Sequence, residues 1–285
     1  MEKKSLGILL PVILMAVCSI CTVSCGSDDD DNDIPNNPSK KYLAEISIKE
    51  YEWKFGERSS YGELYELYKY NEKGKLTSSE SHHYSAVIKG RYSDRTDYVY
   101  DDRDRIIEKN EYDFSILQYK YKYEYNSFDS VSVMYKYSKS GSLNETHQYE
   151  YDNSKRLSKE TEIVNYLRND YGYVRSYEYS GNTVTVTTTM LEDGSFFGKS
   201  VYEYDSHHNL VKSSYTSGTD GKTTSSVYKY EYDSKGRLIK KTSPDLSHER
   251  YREYTYNEDG TIEKIHVSNN YNNDQSDLVY TYTYK

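Results

Sequence analysis

The sequence is almost free of cysteine. It contains only three, Cys18, Cys21 and Cys25, and all of them lie within the first 25 of its 285 residues. The chain beyond them can therefore form neither a disulfide framework nor a cysteine-based metal site. Apolar residues are scarce as well, because the mean hydropathy is −0.98 and no long hydrophobic run follows Val23.

An excess of positive charge is also missing. The chain has 37 Lys and Arg residues against 46 Asp and Glu residues, and its formal net charge is −9. A nucleic-acid partner would need a basic surface. The composition therefore predicts no nucleic-acid binding.

The motifs that accompany common enzyme chemistries are absent from the sequence. There is no His-Glu-x-x-His, no Gly-x-Ser-x-Gly and no phosphate-binding loop. The pairs His82-His83 and His207-His208 are predicted to be surface residues, because neighbours on a strand point to opposite faces. Carboxylates are plentiful, but their number alone does not indicate a catalytic pair. We therefore predict no enzyme activity, no cofactor and no metal site.

The first residues are typical of a secretory signal. Two lysines precede an apolar run over residues 6–23, and small residues follow it. An uncleaved membrane anchor is the alternative, because the run is about long enough to span a bilayer. The stretch "TVSC" that ends at Cys25 resembles a bacterial lipobox, which implies cleavage before Cys25 and lipidation of that residue.

An acidic run follows the cysteine directly. It consists of Ser27, Asp28, Asp29, Asp30 and Asp31. After a lipidated cysteine, such a run resembles the export signal of Bacteroidota lipoproteins. The resemblance implies a protein that is lipid-anchored in the outer membrane and faces the cell exterior. We predict a lipoprotein signal peptide over residues 1–24, a flexible acidic tether over 25–41 and one folded domain over 42–285.

Tyrosine is abundant, with 37 residues, and it recurs in a repeated phrase. The phrase Tyr-x-Tyr, usually followed by Asp or Asn, returns about every 24 to 30 residues along the folded part. Tyrosines alternate with polar residues in "YKYEYD", around Tyr230 and Tyr232. Strict alternation of this kind predicts half-buried antiparallel strands rather than helices.

A turn follows each phrase. In "DSKG", Asp233 takes the first position of the turn and Gly236 takes a position that needs a positive φ angle. Other turns place a non-glycine residue at that position, and these are predicted to adopt the same backbone: Asp104, Asp129, Lys155 and His208. An aliphatic residue then opens the next strand, so each repeat is a β-hairpin.

The repeated stretches "YEYDSKGRL", "YEYDNSKRL" and "YEYDSHHNL" resemble the YD repeats of Rhs-type proteins. In a lipid-anchored protein of this size, they are also similar to a Bacteroidota lipoprotein family of unknown function that is described as porin-like. The resemblance covers nearly all of residues 42–285. It implies a fold, and it supplies no catalytic residues.

About eight hairpins predict an all-β fold. We expect an up-and-down antiparallel meander of about 16 strands, since sheets beyond about ten strands curl, split or close. The sheet is therefore predicted to be closed or strongly curled into a barrel-like form, with the tyrosines inward. Whether such an interior is filled or leaves a cavity stays open at this stage. A pore embedded in the outer membrane is disfavoured, because the strands lack an outward apolar band.

The predicted function is non-catalytic binding of a glycan or protein ligand at the cell surface. A structural shell of the Rhs type is the alternative. Binding is expected at the end of the sheet opposite the regular turns, where connections vary and loops carry recognition residues. The stretch "LEDGSFFG", residues 191–198, is one such connection, and Phe196 and Phe197 are its predicted ligand contacts.

Overall fold

The tyrosine repeats form one antiparallel β-sheet in the computed structural model. The structure describes residues 42–54, 57–85, 90–165, 171–242, 249–269 and 275–284. The strands are β1 (Leu43–Lys54), β2 (Glu57–Tyr70), β3 (Leu76–Ser85), β4 (Gly90–Tyr100), β5 (Ile106–Asp113), β6 (Ile116–Tyr125), β7 (Val131–Ser138), β8 (Leu143–Tyr151), β9 (Leu157–Val164), β10 (Tyr171–Ser180), β11 (Thr183–Met190), β12 (Phe196–Tyr204), β13 (Leu210–Ser217), β14 (Thr223–Val227), β15 (Lys229–Tyr232), β16 (Leu238–Thr242), β17 (Glu249–Tyr256), β18 (Ile262–Asn269) and β19 (Gln275–Tyr284).

The sheet closes on itself through its first strand. β1 pairs with β2 on one side and with β19 on the other, where Leu43 lies opposite Tyr284 and Trp53 opposite Gln275. The other pairings between described strands join strands that follow one another in the chain. The predicted all-β meander with a barrel-like form is therefore confirmed.

The described sheet has 19 strands, where the sequence predicted about 16. Two causes account for the difference. The eight predicted hairpins account for β2 to β18, and the strands β1 and β19 lie outside them at the two ends of the sheet. In addition, β14 and β15 are separated only by Tyr228, whose N–H donates to the carbonyl of Val211 at 2.8 Å and so continues the ladder with β13.

The predicted turns are confirmed in detail. The φ angles of Asp104, Asp129, Lys155 and His208 are 59°, 58°, 61° and 62°, and that of Gly236 is 78°. The first residue of each turn organises the rest, as the turn at Asp233 shows. Its carboxylate accepts the N–H groups of Lys235 and Arg237, each at 2.9 Å. The Asp233 carboxylate thus accepts backbone N–H groups that the tight turn leaves without a backbone partner.

The last tyrosine of a phrase joins neighbouring hairpins. Its hydroxyl donates to the carbonyl of the aliphatic residue that opens the preceding return strand. Tyr151, for example, donates to Val131 at 2.7 Å. The same bond recurs from Tyr100 to Leu76, Tyr125 to Ile106, Tyr179 to Leu157 and Tyr256 to Leu238. In the phrase that ends at Tyr232, the preceding Tyr230 donates to Leu210 instead. The repeated tyrosine is therefore a connector between hairpins as well as a packing residue.

The two faces of the sheet differ in exposure. On β6, the half-buried Tyr121, Tyr123 and Tyr125 alternate with the exposed Lys122 and Glu124. We call the side that carries the three tyrosines the tyrosine face and the other side the opposite face. The less exposed side is the one expected to line the inside of a closed sheet, in agreement with the predicted inward tyrosines.

Few apolar side chains are fully buried in this sheet. Among the described residues, the buried hydrophobic side chains are Ile46, Val186, Ile265 and Val267. The half-buried tyrosines take the larger share of the packing, because each joins a large apolar ring to a hydroxyl that can reach a polar partner. No described segment forms an apolar helix long enough to cross a membrane.

Candidate functional site

The predicted lipidation and export residues lie outside the described residues. These are Cys25 and the acidic run Ser27, Asp28, Asp29, Asp30 and Asp31. Their roles stay predictions.

The structure corrects the predicted position of the two phenylalanines. Phe196 and Phe197 do not lie in a loop but open strand β12. A register shift between Thr188 and Thr189 adds one residue to β12 here, which lets Phe196 pair with Thr189. Both rings are exposed all the same, Phe196 to 49% and Phe197 to 39%. The pair therefore presents apolar surface from a strand rather than from a mobile connection.

Phe197 belongs to a small aromatic cluster. Its ring meets that of Tyr173 edge-on, with 4.8 Å between the centroids. Gly198 comes next in the chain, and a Cβ atom there would lie 2.6 Å from the hydroxyl of Tyr215, whose ring covers the glycine. We call Tyr173, Phe197, Gly198 and Tyr215 the aromatic cluster. The absence of a side chain at Gly198 is what lets the Tyr215 ring reach this position.

The cluster lies at the end of the sheet opposite the regular turns. The backbone around it is tied to neighbouring strands: Gly218 donates its N–H to the carbonyl of Phe197 at 2.9 Å, and Leu191 donates to Gly172 at 3.0 Å. Tyr171 and Leu191 are further exposed apolar residues near the same end of β10 and β11. The site therefore combines exposed apolar groups with a hydrogen-bonded backbone.

His207 and His208 are exposed, as the sequence predicted, and His82 is half-buried. His207 is exposed and stacks on Tyr232 with 4.3 Å between ring centroids, and His208 holds the positive-φ position of its turn. His82 Nε2 lies 3.2 Å from Glu80. In the described part of the chain, no three His, Cys, Asp or Glu side chains converge as metal ligands would.

A network of charged side chains on the tyrosine face was not predicted. Glu160 on β9 is its centre and is only 2% exposed. The Glu160 carboxylate lies 2.9 Å from His147 Nδ1 and accepts the hydroxyl of Tyr177 at 3.0 Å. Arg175 on β10 lies 3.4 Å from the same carboxylate. The buried charge is thus compensated by groups from both neighbouring strands.

Three more residues extend the network. Arg175 donates to Glu162 at 2.6 Å, and Lys136 on β7 donates to Glu145 at 2.9 Å. His147 Nε2 lies 3.4 Å from Glu145. Three carboxylates therefore face three basic side chains, Lys136, His147 and Arg175, and the charges balance when His147 is protonated.

The network shifts the ionisation of its members. Burial opposes the charged form of His147, but hydrogen bonds to Glu145 and Glu160 outweigh it and raise its pKa to about 9. The hydrogen bond from His147 lowers the pKa of Glu145 to about 2. Burial opposes ionisation of Glu160 too, yet His147 and Arg175 lower its pKa. All three side chains are therefore charged at neutral pH.

The geometry favours a structural role for this network. A general acid at neutral pH needs a raised pKa, whereas the pKa values of Glu145 and Glu160 are lowered. A buried ion pair in turn fixes the register of the strands that carry it, because a slip would leave a charge unpaired. The sequence signals only part of it: Glu145 and His147 follow the same alternation as Tyr149, which places them on the tyrosine face.

Solved structures with a similar fold include two porin-like proteins. One, from Bacteroides uniformis, is 13% identical over 85% of this chain and 96% of its own, with a TM-score of 0.47. The other, from Bacteroides vulgatus, is 13% identical over 69% of this chain and 95% of its own, with a TM-score of 0.36.

A third similar structure is the TcdB2-TccC3-Cdc42 complex. It is 13% identical over 75% of this chain but only 12% of that chain, with a TM-score of 0.37. No family model matches the sequence, and no curated protein matches it. Because all these similarities are remote, the function has to be argued from the chain's own residues.

Proposed function

We propose that this chain is a lipid-anchored protein of the cell surface that binds a glycan or protein ligand without catalysing a reaction. The observation that carries the proposal is the aromatic cluster with the exposed ring of Phe197. Rings of this kind supply rigid contact surface at low entropic cost, and aromatic residues are enriched at binding sites. The hydroxyl groups of Tyr173 and Tyr215 add polar contacts to the apolar surface.

The position of the cluster supports the same proposal. A hydrogen-bonded strand end holds the rings in place, so little conformational freedom is lost when a ligand binds. The regular turns at the other end repeat one structure, which suits a scaffold. The end that carries the cluster has connections of differing length, which suits recognition.

Replacement of Phe197 by serine tests the binding site. The full chain is screened against arrayed glycans and surface proteins, and the variant is compared on the ligand that the wild type binds. The matched control is Phe128→Ser, because Phe128 is also exposed, at 57%, but lies in a regular turn at the other end. We expect Phe197→Ser to lose affinity and Phe128→Ser to keep it, with similar melting temperatures. Equal binding by both variants would remove the cluster as the site.

The anchor is tested at Cys25. We expect Cys25→Ala to yield an unprocessed or unlipidated chain, because the thiol is the group that lipidation modifies. Mass spectrometry of the membrane fraction is the measurement. A variant that still partitions with membranes at the mass of the mature wild type would contradict the anchor.

The export role of the acidic run is tested separately. Replacing Asp28, Asp29, Asp30 and Asp31 by alanine should leave a lipidated protein that added protease no longer reaches on intact cells. Unchanged cleavage on intact cells would show that the run does not direct surface display.

A structural shell is the second candidate, and the closure of the sheet by β1 and β19 favours it. A shell retains a second chain, whereas a binding module releases its ligand on dilution. Native mass spectrometry of the protein purified from its envelope separates the two. A second chain held at fixed stoichiometry after dilution would favour the shell.

A further inference from the structure

A cleft on the opposite face lies apart from the aromatic cluster. Its volume is about 340 Å³, and it is lined by Leu117, Lys120, Lys122, Tyr137, Ser138, Lys139 and Gly141. This volume lies at the lower end of the range of about 300–1,000 Å³ that is usual for small-molecule sites. The cleft therefore has room for one small unit of a ligand.

Three of the lining residues are lysines, and none is acidic. Lys120 is paired with Glu108 at 3.0 Å, but neither Lys122 nor Lys139 forms an ion pair with a described residue. Such a concentration of positive charge is notable in a chain whose net charge is −9. Because a cleft with low-dielectric walls focuses its field, the lysines attract an anionic group here.

Glu108 lies opposite Lys122 in the ladder and offsets part of its charge, whereas the neighbouring turn offsets none. The turn that starts at Ser138 has the same backbone bonds as the regular turns, since Gly141 donates to Ser138 and Ser138 donates to Ser142, each at 2.9 Å. The regular turn at Asp233 begins with a carboxylate. Ser138 brings a hydroxyl instead, so this turn adds no negative charge to the cleft.

The remaining lining residues suit a saccharide. Strand alternation puts Tyr137 on the side of the lysines, opposite Lys120 in the ladder, and Lys122 Nζ lies 5.8 Å from the centre of its ring. An aromatic ring can pack against a sugar, while the Ser138 hydroxyl can donate or accept a hydrogen bond. A nucleic acid would need a broader basic surface than one cleft offers on this acidic chain.

We propose that this cleft binds the carboxylate or sulfate group of an acidic saccharide through Lys122 and Lys139, with the sugar ring against Tyr137. The inference rests on the proposed binding function and names a ligand class for it. The aromatic cluster is a separate site, however, so each can fail without the other.

The test compares Lys122→Gln/Lys139→Gln with the wild-type full chain. Binding of oligogalacturonate and of dextran sulfate is measured by calorimetry, and neutral dextran is the uncharged probe. The control is Lys199→Gln/Lys235→Gln, which removes two lysines that are exposed elsewhere and have no ion pair with a described residue. Melting temperatures verify that all chains fold.

We expect the first double variant to bind the acidic probes about tenfold more weakly, which corresponds to about 1.4 kcal/mol, because two attractive charges are lost. The control variant should bind as the wild type does, and neutral dextran should bind none of the chains in this cleft. Equal affinity in both double variants, or no binding of either acidic probe by the wild type, would overturn the inference. Duplex DNA that competes as well as the acidic saccharides would overturn the ligand class.

These outcomes are distinguishable from a failure of the proposed function. Loss of ligand binding in Phe197→Ser, together with unchanged binding in Lys122→Gln/Lys139→Gln, would retain the aromatic site and reject the cleft. Loss of binding in Lys122→Gln/Lys139→Gln alone would retain the cleft and reject the aromatic site.

Discussion

The replacement of His147 by glutamine tests the charged network directly. Glutamine keeps a polar side chain at the site but carries no charge at any pH. In the wild type, the imidazolium lies between Glu145 and the buried Glu160. The variant leaves both carboxylates with one cation fewer, so the free energy of unfolding should fall.

The magnitude follows from the pKa of His147, which is raised from 6.5 to about 9 in the folded protein. Because the side chain is only 13% exposed, little of the interaction is screened by water. A raised pKa contributes stability that is fully present below the unfolded value and is lost as the pH rises through the folded one. The contribution should be about 3 kcal/mol at pH 6 and a few tenths of a kcal/mol at pH 9.5.

Glu145 sets the limit of this stabilisation at low pH. The pKa of Glu145 is lowered from 4.5 to about 2. Its contribution is therefore complete above pH 4.5 and is lost as the pH falls through about 2. The network should stabilise the fold most between about pH 4.5 and 6.5, where both contributions are complete.

Urea unfolding of the full chain at pH 6, 7.5, 8.5 and 9.5 is the assay. The difference in unfolding free energy between wild type and His147→Gln should shrink by about 3 kcal/mol over this range. His208→Asn is the control, because His208 is exposed and asparagine tolerates its positive φ angle. A difference that stays constant with pH to within about 1 kcal/mol would refute the ion pairing of His147.

Three further substitutions test the scaffold by the same unfolding measurement. Gly172→Ala should lower the free energy of unfolding by about 3 kcal/mol, because the added Cβ would overlap the carbonyl oxygen of Glu162. A loss below about 1 kcal/mol would contradict that close approach. Gly236→Ala should lower the free energy of unfolding by about 1 kcal/mol, because the φ angle of 78° is unfavourable for alanine while no atom lies within 4 Å of the added Cβ. An unchanged stability would show that the turn relaxes freely. Tyr151→Phe should lower the free energy of unfolding by about 1 kcal/mol, because it removes the hydrogen bond from the hydroxyl to the carbonyl of Val131. An unchanged stability would mean that water replaces this bond.

The sequence predicts those features that depend on neighbouring residues. Lys155 and His208 could be assigned positive φ angles because the turn around them repeats the pattern of Asp233 to Gly236. The alternation of tyrosines likewise predicts strands without any knowledge of their partners. Such constraints act within a few residues, so a single repeat carries the information.

Features that depend on the pairing of strands could not be predicted. Glu160 meets His147 and Arg175 only through the registers of β8, β9 and β10, and each of these residues taken alone looks like an ordinary surface charge. The start of β12 at Phe196 depends on a register shift against β11, which no local pattern indicates. Register is set by the partner strand as much as by the strand itself.

The pairing of β1 with β19 has a consequence for the order in which the molecule folds. The paired residues of these two strands are about 220 to 240 positions apart in the chain, whereas the other described pairings are between sequence neighbours, which form quickly. Hairpins can therefore zip up one after another, but both outermost strands keep unpaired backbone edges until they meet. During that interval a second molecule could supply the missing edge and give an intertwined dimer or a growing chain of copies. Refolding at low concentration should then yield the closed monomer, and refolding at high concentration should yield higher-order species.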